Sequence, residues 1–209
     1  MQRWSLLLAL CAVAALAQPA GAATHPTCPT SGKTLAKNGS ARVWRVHTRS
    51  GIDRYYGCAF KVGRPVRLDP KGGQAEQRPM MLTSTLVAYE VMDFNLKPFR
   101  MIVRNLKTGA TVHSAPSNAQ KSEMGEGGPA RSVLVKRDGT VAWMASVDCF
   151  CEGVDFSEKG FEVHVIATDG KHRILDRGPE VDGSSLALAA GGSRVTWKHG
   201  TEQRSAPIT

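Results

Sequence analysis

Cys149-Phe150-Cys151, flanked by Asp148, Glu152 and Asp155, carries the most pointed chemistry in this 209-residue chain. A disulfide closed over a single residue is strained, and strained disulfides are the oxidising, labile ones, so a thiol-redox role is physically open. Two thiolates joined by Met144 or a nearby His would also take a soft ion such as Cu(I). No second Cys-rich or Met-rich cluster accompanies them, and in an exported chain a loop closed by a local structural disulfide is the ordinary arrangement. Local pairing of Cys149 with Cys151 leaves Cys28 for Cys58, while the crossed pairing would tie the first repeat to the third. A Cys28–Cys58 ring of about 30 residues is worth on the order of 3–4 kcal/mol if it acts by restricting the unfolded chain. The acids Asp148, Glu152, Asp155 and Glu158 lack the alternation and Gly of a calcium loop and read as solvated surface, so no metal or other cofactor is expected.

Other chemistry is sparse. The sequence has no Gly-x-Ser-x-Gly and no His-Glu-x-x-His, and His47, His113, His164, His172 and His199 are scattered singly, which points away from an enzyme. Cations recur instead: Arg42, Arg45, Arg49 and Arg54, then Lys97, Arg100, Arg104 and Lys107, then Lys171, Arg173 and Arg177. Aligned on one rim they would attract an anionic cell-envelope ligand. No nucleic-acid motif and few stacking aromatics go with them, so no specific nucleic acid is expected. The plainer reading is solvated strand edges, where Lys and Arg discourage aggregation.

Arg3 precedes an apolar run, Ser5 to Ala17, too short to cross a bilayer, and Ala20-Gly-Ala22 supplies a small-residue cleavage site. Residues 1–22 therefore read as a secretory signal peptide. Leu10 before Cys11 is not the small residue a lipoprotein signal needs, which argues against a lipid anchor. Residues 23–209 then form one domain with 26 Lys and Arg against 18 acids, a net charge of +8. Its four cysteines are an even count suited to disulfides. No later stretch approaches transmembrane length.

The elements that would position these residues are strands. Ser132 to Lys136, a turn at Asp138-Gly139, Thr140 to Val147, Phe161 to Ala167, a turn at Asp169-Gly170 and Lys171 to Leu175 make a four-strand meander. Val-x-aromatic recurs as Val87-Ala-Tyr89, Val141-Ala-Trp143 and Val195-Thr-Trp197, 54 residues apart each time. A turn leading into a basic strand also recurs, at Gly109 and Gly170, with a looser copy around Gly63. Two markers repeating in one order, with few helix-period windows, predict an all-β, propeller-like array of about four short antiparallel blades. The last blade is expected to be incomplete, its missing strand supplied by the N-terminal segment or by a second molecule. Asn38-Gly39-Ser40 fits a glycosylation pattern but reads as a hairpin turn between strands. Ser114 to Gly128 reads as a loop and Asp176 to Ser184 as a connection.

Arg137-Asp-Gly-Thr-Val-Ala-Trp143 followed by Phe161-Glu-Val-His-Val-Ile-Ala-Thr-Asp-Gly170 resembles the WD-like repeat of TolB-type bacterial propellers, with Arg137 where that family has Pro. The resemblance is fullest in the third repeat and partial in the second and fourth. It implies an extracytoplasmic, non-catalytic binding or scaffold module whose partner is an unknown protein or an anionic envelope ligand. Tyr56-Gly-Cys58 and Leu175-Asp-Arg-Gly-Pro179 also resemble features of small secreted proteins of high-GC Gram-positive bacteria. The alternative function is a thiol-redox or metal-handling protein centred on Cys149 and Cys151. Trp143, with Val141 and Ala145 on the same strand face, is expected to anchor the core against a neighbouring blade rather than line a ligand pocket.

Overall fold

In the computed structural model, which describes residues 27–69, 80–91, 99–118, 128–147 and 160–208, fifteen strands and no helix form four antiparallel sheets. The leader at 1–22 and the Cys149/Cys151 pair lie outside the described residues. Blade 1 contains β1 (Lys33–Lys37), β2 (Ala41–His47), β3 (Asp53–Ala59) and β4 (Val66–Arg67). Blade 2 contains β5 (Met81–Thr83), β6 (Leu86–Val91), β7 (Arg100–Asn105) and β8 (Thr111–Pro116). Blade 3 contains β9 (Ala130–Val135), β10 (Val141–Ser146), β11 (Phe161–Ile166) and β12 (His172–Gly178). Blade 4 has only β13 (Ala187–Leu188), β14 (Arg194–His199) and β15 (Glu202–Pro207). Within each sheet the strands pair in chain order, so every blade is an up-and-down meander.

The second strand of a blade is apolar on both faces because it is covered on both sides, and side chains alternate between those faces. On β10, Val141, Trp143 and Ala145 join Leu86, Ala88, Met101 and Val103 of blade 2, while Ala142 and Met144 join Val195 and Trp197 of blade 4. Tyr89 turns likewise toward blade 1, and Tyr89, Trp143 and Trp197 are 2 %, 0 % and 3 % exposed. Gly57, at the centre of Tyr56-Gly-Cys58, lets blade 2 approach blade 1 closely: a Cβ there would stand 2.4 Å from a Leu106 methyl.

Two strands run further than the sequence suggests. β8 continues through Ser114 to Pro116, because Ala115 faces the blade 2–3 core and Met101 pairs with it. β12 continues to Gly178, paired with Phe161.

Among the described residues β1 pairs only with β2, β15 pairs only with β14, and no hydrogen bond, ion pair or hydrophobic cluster joins blade 4 to blade 1. The two terminal blades are capped separately. Blade 4 turns Val195 and Trp197 inward and leaves Arg194 and Lys198 exposed on its outer face. Blade 1 would expose Trp44 on its outer face, but the segment before β1 lies over it. A Cys28–Cys58 disulfide tethers that segment. Arg42, buried on the same face, binds the carbonyls of Pro29 and Gly32 and the Thr34 hydroxyl, with its guanidinium 5.3 Å from the Trp44 ring. A blade face without a neighbouring blade needs a cover or polar side chains, and among the described residues blade 1 has the first and blade 4 the second.

Candidate functional site

The connections β1–β2, β3–β4, β5–β6, β7–β8, β9–β10, β11–β12 and β13–β14 gather at one end of the array. Asn38 donates to the Ser84 carbonyl across two of these turns, and His113, just past β7–β8, abuts Gly139 and Gly170. All seven turns lie within the described residues. Side-chain acceptors close four of them. Asn38 Oδ1 accepts from the Ser40 and Ala41 N–H groups at 2.8 and 2.9 Å, which uses the side chain that a glycan would need. Asn105 accepts from Lys107 N–H and Thr108 from Ala110 N–H. Asp138 accepts from Thr140 N–H at 3.0 Å and Asp169 from Lys171 N–H at 2.9 Å. Short Asx and Ser/Thr side chains suit this task because they reach the N–H two residues on.

The acceptor's charge differs from blade to blade. In blade 3 each turn aspartate also takes a lysine: Asp138 pairs with Lys136 at 2.9 Å and Asp169 with Lys171 at 3.4 Å. In blades 1 and 2 the acceptors are neutral, and residues 33–47, 59–68 and 99–113 contain no Asp or Glu. Lys37, Lys61, Arg64 and Lys107 consequently have no carboxylate within ion-pair distance among the described residues. Arg104 is held by the Arg67 carbonyl and Thr111, again without a carboxylate.

Two adjoining clefts open on this acid-free end. The larger, about 310 Å³, is lined by Arg64, Pro65, Val66, Arg67 and the Leu106–Gly109 turn. The smaller, about 140 Å³, is lined by Lys61, Phe60, the Gly39-Ser40 turn, Ser84-Thr85 and again Lys107. Lys37 extends over the Phe60 ring at 5.9 Å, so its charge reaches the smaller cleft.

The cationic rim expected from the sequence is thus mostly redirected. Arg42 is buried under the N-terminal segment. Arg45 pairs with Asp53 at 2.8 Å, and Arg54 and Arg67 converge on buried Asp69. Arg100 binds Ser114, Lys171 pairs with Asp169 and Arg177 with Glu162. Lys97 lies outside the described residues. Of that series only Lys107 lines a cleft without an acidic partner. Lys61 and Arg64 flank the looser repeat around Gly63, and the signal in the sequence that marks them is the lack of any Asp or Glu over 59–68.

A second polar assembly sits in the blade 2–3 joint. His164 and Glu162 are fully buried; His164 Nε2 meets Glu162 Oε2 at 3.0 Å and His164 Nδ1 meets His172 Nε2 at 2.9 Å. Both imidazoles stack on Trp143, with ring centres at 4.9 and 5.3 Å, while the indole N–H donates to the Ser117 carbonyl at 2.7 Å. A third, at the blade 3–4 joint, centres on Asp176, which accepts from Trp197 at 2.6 Å, from Arg204 and from His199. Burial pushes the Asp176 carboxyl up, but the hydrogen bonds from Trp197, His199, Arg177 and Arg204 hold it below its ordinary value. The single histidines of the sequence are therefore largely absorbed into joints between blades.

No protein-family model and no curated protein matches the chain. Among solved structures it is similar to TolB from Acinetobacter baumannii, at 12 % identity and a TM-score of 0.45, over 84 % of this chain and 43 % of that one. It is also similar to a puromycin-hydrolysing peptidase of Mycobacterium tuberculosis, at 12 % identity and 0.47, over 83 % of this chain and 30 % of that one. The tricorn protease aligns at 8 % identity and 0.41, over 84 % and 21 %. The chain spans less than half the length of each of these proteins. At such identities the likeness concerns the fold alone, and what the four sheets themselves establish is an all-β, propeller-like array of four blades, the last one incomplete.

Proposed function

We propose that this chain is an exported, non-catalytic binding module whose binding face is the short-turn end of blades 1 and 2, and whose ligand is an anionic component of the cell envelope. The observation that carries the proposal is the pair of clefts bounded by Lys61, Arg64 and Lys107 with no carboxylate among the described residues at that end. Cations left without counter-charges on one surface attract polyanions, and neighbouring clefts that share Lys107 suit a ligand bearing more than one negative group. The Cys28–Cys58 disulfide supports an oxidising compartment, since such bonds persist outside the cytosol. Titratable groups elsewhere hold blades together, which supports a scaffold carrying a binding face over an enzyme.

The test uses the chain from residue 23 onward and immobilised heparin as the polyanion probe. The wild type is expected to elute at a markedly higher salt concentration than a Lys61→Ala, Arg64→Ala, Lys107→Ala triple variant. As a control for bulk charge, a variant losing three exposed cations away from the clefts, Arg49→Ala in the β2–β3 turn and Arg194→Ala and Lys198→Ala on the outer face of blade 4, is expected to stay close to wild type. Equal elution of both triple variants would show that net charge alone governs retention and would remove the site.

A further inference from the structure

We propose that Glu162, His164 and His172 form a one-proton site at the joint between blades 2 and 3, and that a second proton unlocks that joint. The assembly is built from adjacent strands. Glu162 and His164 alternate along β11 so that both face blade 2, and His172, at the start of β12, pairs with Ile166 on that same face, within reach of His164. Glu162 is held from its other side by Arg177 at 3.0 Å.

Hydrogen-bond direction follows from the ends of the chain. An ionised Glu162 only accepts, so His164 donates from Nε2. With one proton per ring, His164 Nδ1 accepts from His172 Nε2, and His172 presents its Nδ1 lone pair outward. One added proton leaves the chain intact: His164 then donates at both nitrogens, to Glu162 and to His172 Nε2, while His172 moves its own proton to Nδ1. The resulting imidazolium lies on the Trp143 face, a favourable place for a cation. A second proton gives both rings two N–H groups and sets two donors against each other across 2.9 Å, so the His164–His172 contact must break.

The surrounding charges agree with this order. On β11 and β12 the facing groups are Glu162 and Arg177, which offset each other. From blade 2 come His113 on β8 and Glu90 on β6, the latter accepting from the Ala130 N–H. The β11–β12 turn adds the Asp169–Lys171 pair, and β10 contributes only Trp143 and other uncharged side chains. Burial and the neighbouring His164 lower the His172 pKa below 6.5, with Glu162 opposing. A histidine depressed by folding contributes stability that is complete above its unfolded pKa, near 6.5, and that disappears as pH falls through the folded value. Unlocking therefore belongs to acid conditions. Once His172 swings away, Trp143 loses one of its two stacked imidazoles on the surface packed against blade 2.

The experiment is hydrogen exchange of the oxidised chain at pH 7.5 and pH 5, corrected for intrinsic rates, read on peptides spanning β8 and β11–β12. Wild type is expected to lose about tenfold of its protection there at the lower pH, against little change in blade 1. His172→Gln, whose amide still donates to His164 but cannot be protonated, is expected to keep its protection at pH 5. His113→Gln, the control for the other joint histidine, is expected to behave as wild type. In parallel, imidazole ¹⁵N spectra should show His172 moving its proton from Nε2 to Nδ1 before it takes up a second one. An unchanged acid loss in His172→Gln, or a His172 that titrates as an isolated surface imidazole, would overturn the proposal.

Discussion

Blades 1 and 3 solve the same two problems with different chemistry. Each presents a Trp on its second strand, Trp44 and Trp143, toward the side where a preceding blade would lie. Trp143 is covered by blade 2. Trp44 has no preceding blade and is covered by Tyr56, Arg42 and a disulfide-tethered segment, with Gly32 so close that a Cβ would stand 2.6 Å from the indole. Each blade also closes its turns with a side-chain acceptor, Asn38 in one and Asp138 and Asp169 in the other. The fold requires a cover and an acceptor and is indifferent to what supplies them. Charge is where the two blades part: the aspartates of blade 3 neutralise their own lysines, and the neutral acceptors of blades 1 and 2 leave theirs free. Turn residues that are interchangeable for folding are not interchangeable for the electrostatic surface.

The comparison breaks most severely at Trp143. Trp143→Ala removes a fully buried indole and leaves the Ser117 carbonyl without its donor, so a loss of roughly 3–5 kcal/mol is expected, read as a large drop in the melting temperature. Trp143→Ala melting within a degree or two of wild type would mean that the joint, and the parallel with Trp44, is misread. Tyr89→Phe sharpens the point, since the Tyr89 hydroxyl has no hydrogen-bond partner among the described residues and its ring sits in the equivalent place. Its deletion should cost well under ~1 kcal/mol.

Next comes the cover of blade 1. Cys28→Ser together with Cys58→Ala opens a ring with a sequence separation of 30 and should cost about 3–4 kcal/mol. Increased protease cleavage before β1 is expected with it. A reductant should lower the melting point of the wild type by more than that of the double variant, which keeps only the Cys149/Cys151 pair. A double variant as stable as wild type would show that Arg42 alone holds the cover.

The smallest structural effect, and the one most specific to function, is an exchange of turn acceptors. Thr108→Asp in blade 2 keeps an acceptor for the Ala110 N–H and sets a carboxylate beside Lys107, so heparin retention should fall while stability changes by less than ~1 kcal/mol. Asp138→Asn with Asp169→Asn should do the reverse, freeing Lys136 and Lys171. Both carboxyls lie below the ordinary Asp value, Asp138 against burial through hydrogen bonds from Lys136 and Thr140, and Asp169 chiefly through the Lys171 N–H. What they contribute to stability is therefore present above about pH 4 and lost as pH falls below it, and the double Asn variant should be less sensitive in that range. Equal retention by the Thr108→Asp chain and wild type would detach the turns from binding.

By itself the sequence determined the blade. Val-x-aromatic and turn-Gly signals are local: a strand two residues in period and a Gly at positive φ, 76° at Gly109 and 77° at Gly170, are set by neighbours along the chain. The fourth aromatic, Trp44, was hidden because it follows Val43 directly and breaks the 54-residue spacing, although it occupies the corresponding place on its strand. Tertiary structure alone decided which cations are free. Arg42, Arg45, Arg54, Lys107, Lys61 and Arg64 look alike as letters, and only the folded array brings Asp53 and Asp69 to some of them and, among the described residues, no acid to the others. It likewise decided that His164 and His172, eight residues apart, share one hydrogen bond over Trp143, because the pairing of β11 with β12 sets His172 opposite Ile166 on the face that carries His164. Ion pairing and burial depend on distances across strands and blades, which spacing along the chain does not encode.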